Sequence, residues 1–222
     1  MVGTRGPTAY GREAASVLTG DLSKNGITIV SGLARGVDGI SHRAALDNGG
    51  RTIAMVANGL DIVYPSEHSG FSRRITENGA VISEYPLGVR PNPRSIPHRN
   101  RLISGLSLGT LVIEASETSG AILTVQHALE QDREVFCVPG SIFSLASGFT
   151  NRMIKQDAKL VSGYQDVLEE LNLRVVAQQI ELSLDVGTED DDEAVLLRYL
   201  DDQPLHIDDI RKSASQLLLL AV

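Results

Sequence analysis

Ile27-Thr28-Ile29-Val30-Ser31-Gly32-Leu33-Ala34-Arg35-Gly36 is the stretch on which the reading of the fold turns. Its first four residues form a short, mostly β-branched run, the composition of a parallel strand buried on both faces. A glycine-bounded loop follows, and a helical stretch runs to about Asn48 before Gly49-Gly50 ends it. Strand, loop and helix in that order open a parallel βαβ unit, because parallel neighbours need a long crossover.

The cycle extends in both directions. Upstream, 10–25 reads as a helix with Ala14, Val17, Leu18 and Leu22 on one side, closed by Gly26. Downstream come strand 52–56, loop 57–67, a helix to about Asn78 and strand 80–83. Residues 84–97 form a loop containing Pro86, Pro91, Pro93 and Pro97, longer than an ordinary connection and so read as functional. Helix 98–107, strand 110–114, helix 120–131, strand 134–138 and a Pro139-Gly140 turn follow. A helix near 150–156, a short strand 159–161 and a helix 164–171 complete the series. The expected class is α/β, with a three-layer, mainly parallel sheet.

The chain has 222 residues with 20 Lys+Arg against 28 Asp+Glu, a net charge of -8, yet the charge is unevenly placed. Residues 173–222 hold 11 acids and 4 bases, whereas residues 1–172 hold 17 and 16. In that body 13 of the 16 bases are Arg, and the stretch 90–101 carries Arg90, Arg94, Arg99 and Arg101 with no acid. A local phosphate site is therefore compatible with an acidic chain. One Cys, Cys137, allows neither an internal disulfide nor a paired-cysteine zinc site. No apolar run reaches roughly 18 residues and no secretory pattern opens the chain, so a cytoplasmic, reducing location is expected. The expected organisation is a body at 1–172, an acidic linker at 173–192 and a small, partial helical domain at 193–222.

Ligands of an open parallel sheet sit beyond the carboxyl ends of its strands. Four segments map there: Gly3-Thr4-Arg5, Ser31-Gly32-Leu33-Ala34-Arg35-Gly36, Ala57-Asn58-Gly59-Leu60-Asp61 and Ser119-Gly120-Ala121. Glycine lets backbone N–H groups approach an anion, hydroxyls donate and Arg neutralises charge, so together they read as a phosphate-binding surface. Each alone is equally a strand-to-helix turn. Neither GxGxxG nor GxxxxGK[ST] occurs, which leaves little support for a nicotinamide dehydrogenase or a P-loop ATPase. His98-Arg99-Asn100-Arg101 places cations and an amide at a helix start, and Tyr10, Tyr85, Phe143 and Phe149 are candidate stacking partners for bases.

Catalytic signals are weak. Asp38 and His42 share a helical face and read as a structural network, and Glu84, Glu114 and Glu117 make a carboxylate pair only if their loops converge. The histidines at 42, 68, 98, 127 and 206 lack metal-ligand spacing, so no metal, no cofactor and no turnover are expected. The competing readings are a nucleotide phosphoribohydrolase using the same glycine-lined crevice and a purely structural interaction protein.

Several segments, in order, resemble the DprA/Smf family of DNA-processing proteins. They are Val2-Gly3-Thr4-Arg5, Ser31 to Asp38 with His42, Gly59-Leu60-Asp61 with Tyr64-Pro65, Ser83-Glu84, Pro97-His98-Arg99-Asn100-Arg101 with Ser104 to Ser107, Glu114-Ala115, Ser119-Gly120 with Thr124, and Val138-Pro139-Gly140 with Asn151. The resemblance implies an extended Rossmann-like domain that binds single-stranded DNA without cutting it, forms a homodimer and loads the RecA recombinase during natural transformation. It implies nucleic-acid contacts at Gly3, Thr4, Arg5, Ser31, Gly32, Arg35, Gly36, Arg99, Asn100, Arg101, Ser119 and Gly120. Four departures stand out: a nearly absent first strand with no helical domain before it, Ile96-Pro97 where the family often has aromatic-Pro, Ser66-Glu67-His68 for a Pro-Glu-Asn, and Gly120-Ala121 for Gly-Ser. The tail resembles a partial winged helix through Pro204 to Ile210, and its acidity opposes phosphate tracking.

Overall fold

Six parallel strands run through the computed structural model, which describes residues 1–173. They are β1 (Ile29–Ser31), β2 (Thr52–Met55), β3 (Ala80–Ile82), β4 (Gly109–Val112), β5 (Glu134–Cys137) and β6 (Lys159–Leu160). The helices are α1 (Ala9–Lys24), α2 (Val37–Asp47), α3 (Ser69–Glu77), α4 (Ser95–Gly105), α5 (Ala121–Glu130), α6 (Gly148–Ile154) and α7 (Tyr164–Glu170). The chain divides into a unit Met1–Asn172 and a unit Leu173–Val222. The acidic run and the helices expected at 193–222 lie outside the described residues.

The strands pair as β1-β2-β3 and β4-β5-β6, all parallel. A short segment at the start of the chain lies between the two sets. Val2 N donates to Leu111 O (2.9 Å) and accepts at its carbonyl from Ile113 N (3.1 Å). On the other side Met1 N donates to Val30 O (2.9 Å) and Ser31 Oγ to Met1 O (2.7 Å). The first strand, expected to be nearly absent, is thus a short bridge that joins the halves into the order β3-β2-β1-segment-β4-β5-β6.

Right-handed crossovers place α1, α2 and α3 on one face and α4, α5 and α6 on the other, because the chain reverses direction across the sheet after β3. The buried side chains follow that division. Val30, Met55, Val112, Val135 and Cys137 pack with Ile103, Val125, Phe149 and Met153 on one face. Ala54, Val56 and Leu33 pack with Ile75 on the other, with Phe71 against them. Burying each such side chain contributes about 1.5–3 kcal/mol. Burial also pushes the Cys137 thiol up to about 12, leaving it an inert core residue. The architecture is a three-layer, Rossmann-like α/β fold, and no described helix is long and apolar enough to cross a membrane.

Two boundaries and faces differ from expectation. Helix α4 begins at Ser95 rather than at His98. Asn92 Oδ1 accepts from the N–H groups of Arg94 and Ser95 (both 2.9 Å), and Pro97 sits in the first turn, where a missing donor costs nothing. Helix α1 buries Gly11, Ala15, Leu18 and Leu22, leaving Val17 53% exposed. The small residues Gly11 and Ala15 permit close packing that a face running through Val17 does not offer.

Glu114, just after β4, locks the start of α1. Its carboxylate is buried and accepts from Thr8 N (2.9 Å) and Thr8 Oγ (2.6 Å), while its carbonyl accepts from Thr4 N (2.8 Å). Thr8 Oγ in turn accepts from Gly11 N, capping the helix. Gly36, at φ 78, answers a different need, since a Cβ there would overlap the Thr4-Arg5 backbone.

His42 and Asp38 serve separate bonds. Asp38 Oδ2 accepts from Ala34 N (3.3 Å), whereas His42 Nδ1 lies 2.6 Å from Thr52 Oγ. Because the Thr52 hydroxyl donates to Ile29 O (2.8 Å), the imidazole carries its proton on Nδ1. Burial, reinforced by the nearby amino terminus and Arg99, pushes His42 down to about 3.

Replacing Glu114 with Ala is expected to lower stability by about 1–3 kcal/mol, read as the urea midpoint, because the Thr8 donors lose their acceptor. His42 adds a pH dependence. Its folded pKa lies below the unfolded value, so the unfolded chain gains the proton and stability falls as pH drops below about 6.5. Between about pH 6.5 and pH 5 the contribution approaches a slope of about 1.4 kcal/mol per unit. His42→Gln should flatten the midpoint-versus-pH curve in that window.

Candidate functional site

Reversal of strand order between β1 and β4 leaves a crevice beyond the carboxyl ends of the strands. It has a volume of about 650 Å³ and is walled by the loop after the first segment, the 91–97 turn and start of α4, and the loop leading to α5. Gly3, Thr4, Arg5, Arg99, Asn100, Ser119 and Gly120 all line it. A side pocket of about 50 Å³ adjoins it and includes Gly32 and Arg35 with Arg5 and Arg99.

These residues do unlike things. Arg99 belongs to the floor, 4% exposed, with Nη1 donating to Gly32 O (2.6 Å) and to Met55 O. It ties the carboxyl ends of β1 and β2 to α4. A Cβ at position 32 would strike this guanidinium, so glycine there serves the insertion of Arg99. Desolvation lowers the Arg99 pKa and nearby Asp38 raises it, so Asp38 partly balances the buried cation. Arg5 is exposed, and its guanidinium has no hydrogen bond or ion pair among the described residues. The net positive charge open to a ligand in the crevice is therefore centred on Arg5.

Asn100 lines the crevice beside it, its side-chain amide making no hydrogen bond among the described residues. Ser119 Oγ accepts from Ala121 N (3.3 Å) and keeps its proton available for donation. Thr4 Oγ accepts from Gly6 N (3.2 Å) and is likewise free to donate. An unpaired guanidinium, an amide and two hydroxyls on one concave surface suit a phosphate.

The remaining expected residues lie outside the crevice lining, Arg35 in the adjoining side pocket. Ser31 is fully buried in β1 and donates to Met1 O. Gly36 faces the opposite side of the Arg5 loop. Arg101 turns to Glu84, which also meets His98 (3.0 Å). Arg35 is exposed and pairs with Glu67 at 2.6 Å, a contact that raises the Arg35 pKa and lowers that of Glu67. Among the aromatics, Phe149 is a core residue under Arg152 and Tyr10 bonds Pro139 O, while Phe143 is 91% exposed.

Tyr64 is the aromatic that lines both the crevice and its side pocket, half-exposed, together with Pro91 and Ile96. In the sequence Tyr64 stands out only within the Tyr64-Pro65 motif. Its place in the loop after β2, at a strand's carboxyl end, was the available clue. The three carboxylates considered for catalysis do not converge: Glu84 meets Arg101, Glu114 meets Thr8, and Glu117 meets Arg152 (2.9 Å).

The model for DNA recombination-mediator protein A matches residues 1–172. The DNA processing protein DprA of Bacillus subtilis is 43% identical over 176 residues, covering 79% of this chain and 59% of that protein. Protein Smf of Escherichia coli is 44% identical over 172 residues, 77% of this chain and 46% of its own. The chain thus spans about half the length of these curated relatives. Among solved structures, DprA from Streptococcus pneumoniae superposes with a TM-score of 0.71 at 40% identity, covering 76% of this chain and 59% of that one. DprA from Helicobacter pylori, whose structure concerns its single-stranded DNA binding mode, gives a TM-score of 0.71 at 31% identity, with 78% and 79% covered. With the family model matching residues 1–172 and relatives more than 40% identical over that body, the chain belongs to the DNA recombination-mediator protein A, or DprA/Smf, family of DNA-processing proteins.

Proposed function

We propose that the crevice binds single-stranded DNA without cutting it, and that the chain acts as a homodimeric mediator loading RecA onto incoming strands during natural transformation. The observation that carries the binding reading is Arg5, an unpaired guanidinium on a crevice whose other cation is buried and partly balanced by Asp38. Phosphate held there would leave a base facing Tyr64, Pro91 and Ile96, an apolar wall suited to stacking. The Helicobacter pylori relative, described by its single-stranded DNA binding mode, supports the same ligand class. The mediator role, the RecA partner, the dimer and a cytoplasmic location belong to the same proposal, as what the family resemblance implies.

The nucleotide-hydrolase alternative needs a carboxylate at the scissile bond. Glu84, Glu114 and Glu117 are absent from the crevice lining, and Asp38, which lines it, accepts from Ala34 N. This arrangement favours binding over turnover.

Two expected results follow for fluorescence anisotropy with a labelled strand of about 35 nucleotides, a length exceeding a single binding site. Arg5→Ala should weaken binding to unrelated sequences alike and reduce the slope of log K against log salt by about 0.7, the loss of one phosphate contact. An unchanged slope would remove Arg5 from the interface. Tyr64→Ala should weaken binding by about fivefold or more, while Tyr64→Phe retains the ring and stays near the parent. Equal losses in both Tyr64 variants would point to the hydroxyl instead of stacking.

A further inference from the structure

Arg5 also lines a second depression, on the far side of its loop from the crevice. This groove has a volume of about 300 Å³, with Arg12, Arg43 and His68 along it and Gly36 and Phe71 among its walls. No Asp or Glu is among its lining residues. Arg43 is exposed and, like Arg5, makes no hydrogen bond or ion pair among the described residues, while Arg12 donates Nη1 to Pro7 O (2.6 Å).

Elsewhere on the surface, Arg73, Arg90 and Arg94 make no side-chain bond among the described residues but line neither the crevice, its side pocket nor the groove. Arg35, Arg74, Arg101 and Arg152 each meet a carboxylate: Glu67, Asp47, Glu84 and Glu117 respectively. In a chain of net charge -8, three guanidinia sharing one small groove with no acid in its lining are therefore a local departure. Like charges held close repel, and an anion in the groove relieves that repulsion. Because Arg5 lines both depressions, a polyanion with one phosphate at Arg5 has its neighbouring phosphates within the reach of either.

We propose that this groove, with Arg12 and Arg43 as phosphate contacts, carries the sugar-phosphate backbone of a single strand as it leaves the crevice across Arg5. The inference rests on the binding reading above and extends it, making the footprint of one chain longer than the crevice. A free phosphate anion shares the recognised chemistry, and strand length separates the two sources.

The test uses the full chain with Arg43→Ala and Arg43→Glu, titrated by anisotropy against labelled oligothymidylates of about 4 and about 20 nucleotides over a salt series. Arg43 has no bonded partner to lose, so thermal midpoints should stay at the parent value. For the long strand, Arg43→Ala should weaken binding about two- to fivefold and lower the salt slope by about 0.7, with a larger loss for Arg43→Glu. The short strand, accommodated by the crevice, should bind as in the parent. Unchanged long-strand affinity and slope, with Arg5→Ala still defective, would overturn the groove while leaving the crevice reading intact. An equal loss on both lengths would also overturn it, marking Arg43 as a general anion site and not a strand path. If the parent protein binds neither strand, both readings fall together.

Discussion

The Arg99 guanidinium holds the site together. Its Nη1 bonds two backbone carbonyls, Gly32 O at the end of β1 and Met55 O at the end of β2. A buried cation is costly unless its protons find acceptors and a counter-charge stands nearby, and both conditions shape the surroundings. Residue 32 lacks a Cβ where the guanidinium enters, Asp38 stands close on the first turn of α2, and Asn92 Oδ1 holds the N–H groups of Arg94 and Ser95 where α4, the helix that carries Arg99, begins. Removal of Arg99 would leave the Gly32 and Met55 carbonyls without this donor and Asp38 without its nearby cation.

That arrangement divides the arginines by task. Arg99 supports, Arg35, Arg74, Arg101 and Arg152 pair with carboxylates across the surface, and Arg5 remains open over the crevice. Exposed pairs of this kind contribute little to stability. Each pair leaves its guanidinium neutralised by a carboxylate. Arg5 and Arg43 thus stand unpaired where the crevice and groove meet, although the chain as a whole is acidic.

A molybdenum cofactor binding protein from Rippkaea orientalis superposes with a TM-score of 0.53 at 14% identity, a likeness of fold alone. A fold of this kind offers a place for a ligand beyond the carboxyl ends of its strands, and the lining residues supply the chemistry. In this chain the lining offers one open guanidinium, an amide, hydroxyls and an apolar wall at Tyr64, Pro91 and Ile96.

The sequence by itself determined the α/β class and the succession of elements, because β-branched runs such as Ile27–Val30 and the glycine turns after them report local backbone preference. It also located the loops of the crevice, since strand direction places every such loop at one edge of a parallel sheet. Which face of α1 packs inward, and why Val17 faces solvent, depended on a neighbouring helix and not on periodicity. Only the tertiary structure separated the arginines, because Arg5, Arg99 and Arg101 are chemically alike and differ in what lies within reach: no partner among the described residues, two backbone carbonyls, and Glu84. Tyr64 and Glu114 gained their roles the same way, through contacts with residues distant in the chain, such as the 106 positions between Glu114 and Thr8. Local sequence encodes propensity; the partners that give a side chain its function are assembled by the fold.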